Sequence, residues 1–173
     1  MRRLLLLTVL ACLVAPPAAF ALHRSAGDGT LVVRHGDGML RLDVSGAVIG
    51  LVQGGQLDII SPTADSCDGF DVWGADREKP PRSRVDGATV CHYVEFLSGG
   101  TPQPIRFRVV LGRDDTLIIR RATDFSVSAV GRGTGLIKAA TGPGAHGVYS
   151  LDGGHFFSLP DETESFTLGA TLR

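Results

Sequence analysis

From Thr30 onward, short runs of β-branched and aliphatic residues are interrupted at near-regular intervals by glycine and aspartate. Each run is long enough for one strand and each break supplies turn residues, so the pattern predicts many short antiparallel strands. Across 39–44, Leu40, Leu42 and Val44 alternate with Arg41 and Asp43, which predicts one buried and one wet face. Runs 30–35 and 39–44 flank Gly36-Asp37-Gly38, and runs 47–52 and 56–60 flank Gly54-Gly55. Both breaks read as hairpin turns, because glycine and aspartate tolerate the positive φ that tight turns need. Further strands are expected at 88–97, 105–111, 116–121, 125–130 and 134–139, with Gly131 to Gly135 as a turn. The clearest hairpin joins 148–151 to 155–159 through Asp152-Gly153-Gly154, with 163–168 as a closing strand. Helical periodicity is nearly absent.

One pattern occurs twice. Asp28-Gly29-Thr30-Leu31-Val32-Val33-Arg34 is echoed by Asp114-Asp115-Thr116-Leu117-Ile118-Ile119-Arg120. With a one-residue shift, Gly46, Gly50, Leu51 and Val52 align with Gly131, Gly135, Leu136 and Ile137, and Leu40 and Leu42 fall on Phe125 and Val127. The expectation is an all-β fold, a single antiparallel β-sandwich or flattened barrel built from two similar meander halves.

Residues 61–84 break this rhythm, being rich in Pro, Asp and Arg and poor in aliphatic residues apart from 70–73. Long loops inside compact domains tend to be functional or disordered, so a site is first sought here, against the alternative that Cys67 simply pins the loop to the strand carrying Cys91. Trp73, the only tryptophan, lies in this excursion beside Asp71. With Tyr93 on a following strand, these residues form the expected binding set, since an aromatic anchor near a staple suits a hot spot. The alternative is that Trp73 packs as a lid over the core.

The amino terminus has another character. Arg2 and Arg3 precede an apolar run, 4–14, and a small-residue region ending Ala19-Phe20-Ala21, the layout of a secretory signal peptide over 1–21. The run is shorter than the roughly twenty residues a spanning helix needs, so no membrane span is expected. Val9-Leu10-Ala11-Cys12 loosely matches a lipobox, although Leu10 suits that pattern poorly; lipidation at Cys12 would tether the protein. The remaining chain, 22–173, is expected to form one domain and to act outside the cytoplasm. Its basic groups are scattered, which argues against nucleic-acid binding.

With Cys12 in the leader, the mature chain holds Cys67 and Cys91, and in an oxidising compartment two cysteines are most simply a disulfide. Other chemistry is weakly signalled. Asp65, Asp68 and Asp71 lack the alternating order of a calcium loop, and the five histidines show no zinc-ligand spacing, so no metal or other cofactor is expected. No Gly-x-Ser-x-Gly occurs, and Glu95, between Val94 and Phe96, reads as an outward, solvated side chain.

Residues 28–52 and the hairpin 149–160 resemble a group of small exported all-β proteins of high-GC bacteria without an established function. The resemblance implies an all-β fold and brings no catalytic residues. The expected function is therefore an exported, non-catalytic β module that binds a cell-envelope component, a glycan or a protein partner. The alternatives are a small secreted hydrolase with a dispersed site, or an accessory or inhibitor subunit.

Overall fold

A computed structural model of the chain describes residues 26–76, 82–144 and 146–169. The expected leader over 1–21, including Cys12, lies outside them. Two long strands organise the fold, β1 (Gly29–Gln53) and β9 (Thr116–Lys138). Around them lie β2 (Gln56–Ser61), β3 (Asp71–Trp73), β4 (Arg82–Val85), β5 (Ala88–Val94), β8 (Ile105–Leu111), β10 (Val148–Ser150), β11 (Phe157–Ser158) and β12 (Glu164–Leu168). A separate two-stranded ribbon is made by β6 (Phe96–Ser98) and β7 (Thr101–Gln103).

All pairings are antiparallel. The main sheet runs β11-β10-β1-β9-β2-β5-β4, with β12 added to β9, β8 to β1 and β3 to β8. It curls on itself as a sandwich or flattened barrel, because β1 and β9 each pair with the other twice. The first part of β1 pairs with the middle of β9, as in Thr30↔Val130, and that same stretch of β9 pairs with the end of β1, as in Val48↔Ala129. The middle of β1 reciprocates: Leu42 faces both Leu117 and Gly135, at the two ends of β9.

The sequence repeat is thus realised as interleaving, with each half supplying strands to both faces of the core. Both long strands change direction through a non-glycine residue in left-handed conformation, His35 (φ 51) in β1 and Arg121 (φ 54) in β9. These residues occupy matching positions of the repeat, each following its arginine, Arg34 or Arg120. Such a φ is costly for an L-residue and persists where surrounding pairings over-determine it.

Alternation then builds the core. Along β8, Ile105, Phe107, Val109 and Leu111 are buried while Arg106, Arg108 and Val110 face out. Leu31, Leu40, Leu57, Leu117, Phe125 and Ile137 from the other strands are fully buried against them. Burying one such side chain contributes roughly 1.5–3 kcal/mol. At one corner the sheet edge is stitched across: beyond its pairing with β8, the chain after β3 receives a bond from Phe96 N at Gly74 O and donates one from Asp76 N to Val94 O.

Three expectations need correction. Gly36-Asp37-Gly38 is no hairpin turn but a bulged bend inside β1. Residues 47–52 and 56–60 are consecutive but do not pair; β2 crosses to β9 and β5. Gly131 to Gly135 lies within β9, so the expected strands 116–121, 125–130 and 134–139 are one. In each case glycine permits close backbone approach: a Cβ on Gly38 would lie 2.5 Å from Lys138 O, one on Gly55 2.7 Å from Arg120 O, and one on Gly131 2.3 Å from Ser45 O.

The excursion over 61–84 is partly ordered into strand, since it contributes β3 and the first residues of β4. Cys67 is joined to Cys91, with Cα atoms 5.7 Å apart, which fastens this excursion to β5.

Candidate functional site

Strand β3 decides where the excursion's side chains go. Its pleat turns Val72 toward the core and leaves Asp71 and Trp73 exposed, the indole by 43%. Antiparallel register continues this outer face across neighbouring strands: Trp73 is opposite Arg106, Arg106 opposite Leu51, and Leu51 opposite Ser126. One row along, Asp71 is opposite Arg108, Arg108 opposite Ile49, and Ile49 opposite Ser128.

These rows form an open groove of about 830 Å³. Its floor is apolar, from Val32, Ile49 and Leu51; Trp73 makes one wall, Ser126 and Ser128 supply hydroxyls, and Arg34 and Arg108 supply charge. Beyond its far side the Arg34 guanidinium lies 4.3 Å over the Phe156 ring, a cation–π contact that fixes its orientation. An apolar floor, an aromatic wall and a few convergent polar groups are the features that ligand-binding grooves share.

Of the expected binding residues, Trp73 lines this groove and Asp71 sits on the same strand beside it. Tyr93 does not join them. It is buried in the core, its hydroxyl donating to the Cys67 carbonyl at 3.5 Å, and burial together with the nearby charge of Asp68 pushes its phenol up to about 12. The alternation of β5 places Tyr93 on the inner face with Cys91, a parity readable from the sequence once the strand's orientation is known.

Glu95 is not free in solvent: it accepts a 2.6 Å bond from the Gly54 amide. Among the described residues no three His, Cys, Asp or Glu side chains group as metal ligands.

Besides the looser His35–Asp124 pair at 3.5 Å, three histidine–carboxylate pairs at hydrogen-bond distance escape sequence reasoning because their members are distant in the chain or lie in a turn. Asp58, buried on β2, lies 2.5 Å from His92 Nδ1 and 3.3 Å from Arg120 Nε, with Gln56 Nε2 also donating to it at 3.3 Å. Asp37, at the bend of β1, lies 2.9 Å from His146 Nδ1, while His146 Nε2 is 2.9 Å from Gly142 O. Both His146 partners are acceptors, so making both bonds requires a proton on each ring nitrogen. The Asp37 bond and then the Gly142 carbonyl accordingly raise the imidazole's pKa.

Asp152 and His155 form the third pair, at 2.6 Å. Ser150 also bonds Asp152, and the sequence order suggests a triad, but the geometry is that of a turn. Ser150 donates to the carboxylate rather than to the imidazole, and Asp152 accepts the Gly154 and His155 amides. Among the described residues no serine, threonine or cysteine side chain bonds a histidine ring.

Compared with protein families, with curated proteins and with solved structures, the chain matches none of them.

Proposed function

We propose that the protein is an exported, non-catalytic binding module that takes a cell-envelope glycan in the Trp73 groove. One observation carries the reading: the only tryptophan is held half-exposed on a short strand, at the wall of an apolar-floored groove with serine hydroxyls and arginines beside it. An indole face stacks on the apolar face of a sugar ring, while hydroxyls and guanidinium groups bond the ring's polar edge. Export is supported by the amino-terminal layout of cationic head, apolar run and Ala-x-Ala close. The disulfide fits the same compartment.

The test is co-sedimentation of the purified protein with insoluble envelope polysaccharide and peptidoglycan. Wild type should pellet with one of these, and Trp73→Ala should lose at least about tenfold in affinity, the scale expected of an aromatic hot spot. No pelleting of wild type, or equal pelleting of the variant, would overturn the reading.

A protein partner is the second reading, favoured by the β6–β7 ribbon, whose Phe96 and Leu97 are 44% and 63% exposed. If Leu97→Asp abolishes envelope binding while Trp73→Ala spares it, this second reading replaces the first.

A further inference from the structure

At the bend of β9 a second groove, of about 670 Å³, opens between Asp37–Met39 of β1, residues 120–123 and 138 of β9, and Ala139–Thr141. It is separate from the Trp73 groove and shares no lining residue with it. Its charges balance unevenly. Asp37 is matched by His146, and Arg120 is matched by Asp58, whose other oxygen is taken by His92. Arg121 and Lys138 make no ion pair with any described residue, and Thr141 adds a solvent-exposed hydroxyl.

The repeat supplies an internal control for this imbalance. The position matching Arg121 is His35, and the position matching Lys138 under the one-residue shift is Gln53. At that first bend His35 faces Asp124 at 3.5 Å, and Gln53 is paired in register with Asp124. The first bend thus sets a carboxylate, Asp124, against both of these positions, whereas at the second Arg121 and Lys138 pair with no described carboxylate, the groove's own Asp37 being bonded to His146. The backbone geometry of the bend needs neither cation, since His35 adopts the same left-handed φ.

We propose that the groove formed by Arg121, Lys138 and Thr141 is a binding site for a phosphate-type dianion. Two unmatched cations suit a doubly charged group, because a monocarboxylate would leave one of them uncompensated. Arg121 supplies a planar fork for two oxygens, and Lys138 a point charge for the third. A free phosphate ion and a phosphate borne on a lipid headgroup present the same oxygens to this site.

The experiment titrates inorganic phosphate into the full mature chain at constant ionic strength held with chloride, followed by amide chemical shifts. A parallel arm measures co-flotation with phosphatidylcholine vesicles with and without phosphatidic acid. Arg121→Asn is the main variant, because asparagine tolerates the left-handed conformation; Lys138→Gln is the second and Trp73→Ala the control. The expected result is saturable shifts at 121–123 and 138–141, or flotation that requires phosphatidic acid, either one weakened at least about tenfold in both charge variants and unchanged in Trp73→Ala. Response to phosphate alone assigns a free ion, and response to the vesicles alone assigns a headgroup. Phosphate shifts no larger than those of chloride together with no phosphatidic acid dependence, or variants that bind as wild type does, would overturn the proposal. The Trp73→Ala arm separates this site from the glycan groove, since either can fail alone.

Discussion

Gly46 and Gly131 face each other directly across β1 and β9, and they are the same position of the repeated sequence. Each backbone is packed into the space the other's side chain would occupy. We expect Gly46→Ala and Gly131→Ala each to cost about 1–3 kcal/mol, because the clashing atoms are backbone and cannot swing aside. The double variant should cost less than the sum, since one local separation of the strands relieves both clashes. Urea midpoints measure this, and strict additivity would disprove the shared contact.

The staple between the excursion and β5 has a matching expectation. Cys91 is fully buried, so dithiothreitol should fail to reduce the bond in native buffer and succeed once urea unfolds the chain. Cys67→Ser/Cys91→Ser should lower stability by roughly 3 kcal/mol, the scale set by closing a loop of this size. Intact mass with and without reductant reads the first result and equilibrium unfolding the second. Rapid native reduction would contradict the burial.

His146 gives the fold a pH response with a defined sign. Its pKa is raised, first by Asp37 and then by the Gly142 carbonyl, so the native state holds this proton more tightly than the unfolded chain does. The resulting stability is complete below the ordinary histidine value of about 6.5 and is lost as pH rises through the raised folded value. His146→Gln should flatten that loss, as seen in unfolding midpoints from pH 5 to 9. An unchanged profile would mean that the imidazole is not clamped.

Asp58 should matter more than either of its partners, His92 and Arg120. It is buried, whereas the side chains of His92 and Arg120 are 30% and 50% exposed. Asp58→Ala should cost about 1–3 kcal/mol through the bonds it abandons, while Arg120→Ala should cost under about 1 kcal/mol because water screens that pair. Equal costs in urea unfolding would show that the carboxylate is not the keystone of the cluster.

Strand content was legible wherever alternation was clean. The run 105–111 became β8, and 148–159 became the β10–β11 hairpin around Asp152. What misled was glycine, whose two uses look alike in a sequence. At 36–38 and 131–135 it serves close approach and bending within one strand, and local composition does not distinguish that from a turn. Pairing partners were equally hidden, because β2 ignores its chain neighbour β1 in favour of β9 and β5. At the candidate site, Trp73 was marked by its rarity, but the groove it lines comes from strands far apart in the chain. Tyr93 was misplaced for want of one parity, and Arg121 became visible only once the fold set it in one groove with Lys138.

The interleaving of β1 and β9 also fixes the order of events in time. The end of β1 meets its first sheet neighbour in β8, as in Val52↔Ile105, whereas its beginning must wait for the later β9, as in Thr30↔Val130. Pairings this distant are slow to form, because the intervening chain must close into a loop first. A chain delivered amino terminus first can therefore pair the end of β1 with β8 early, but its main sheet cannot close until β9 emerges. By placing the repeat's second copy late and threading it through the first, this topology reserves closure of the main sheet for a chain already long enough to supply both copies.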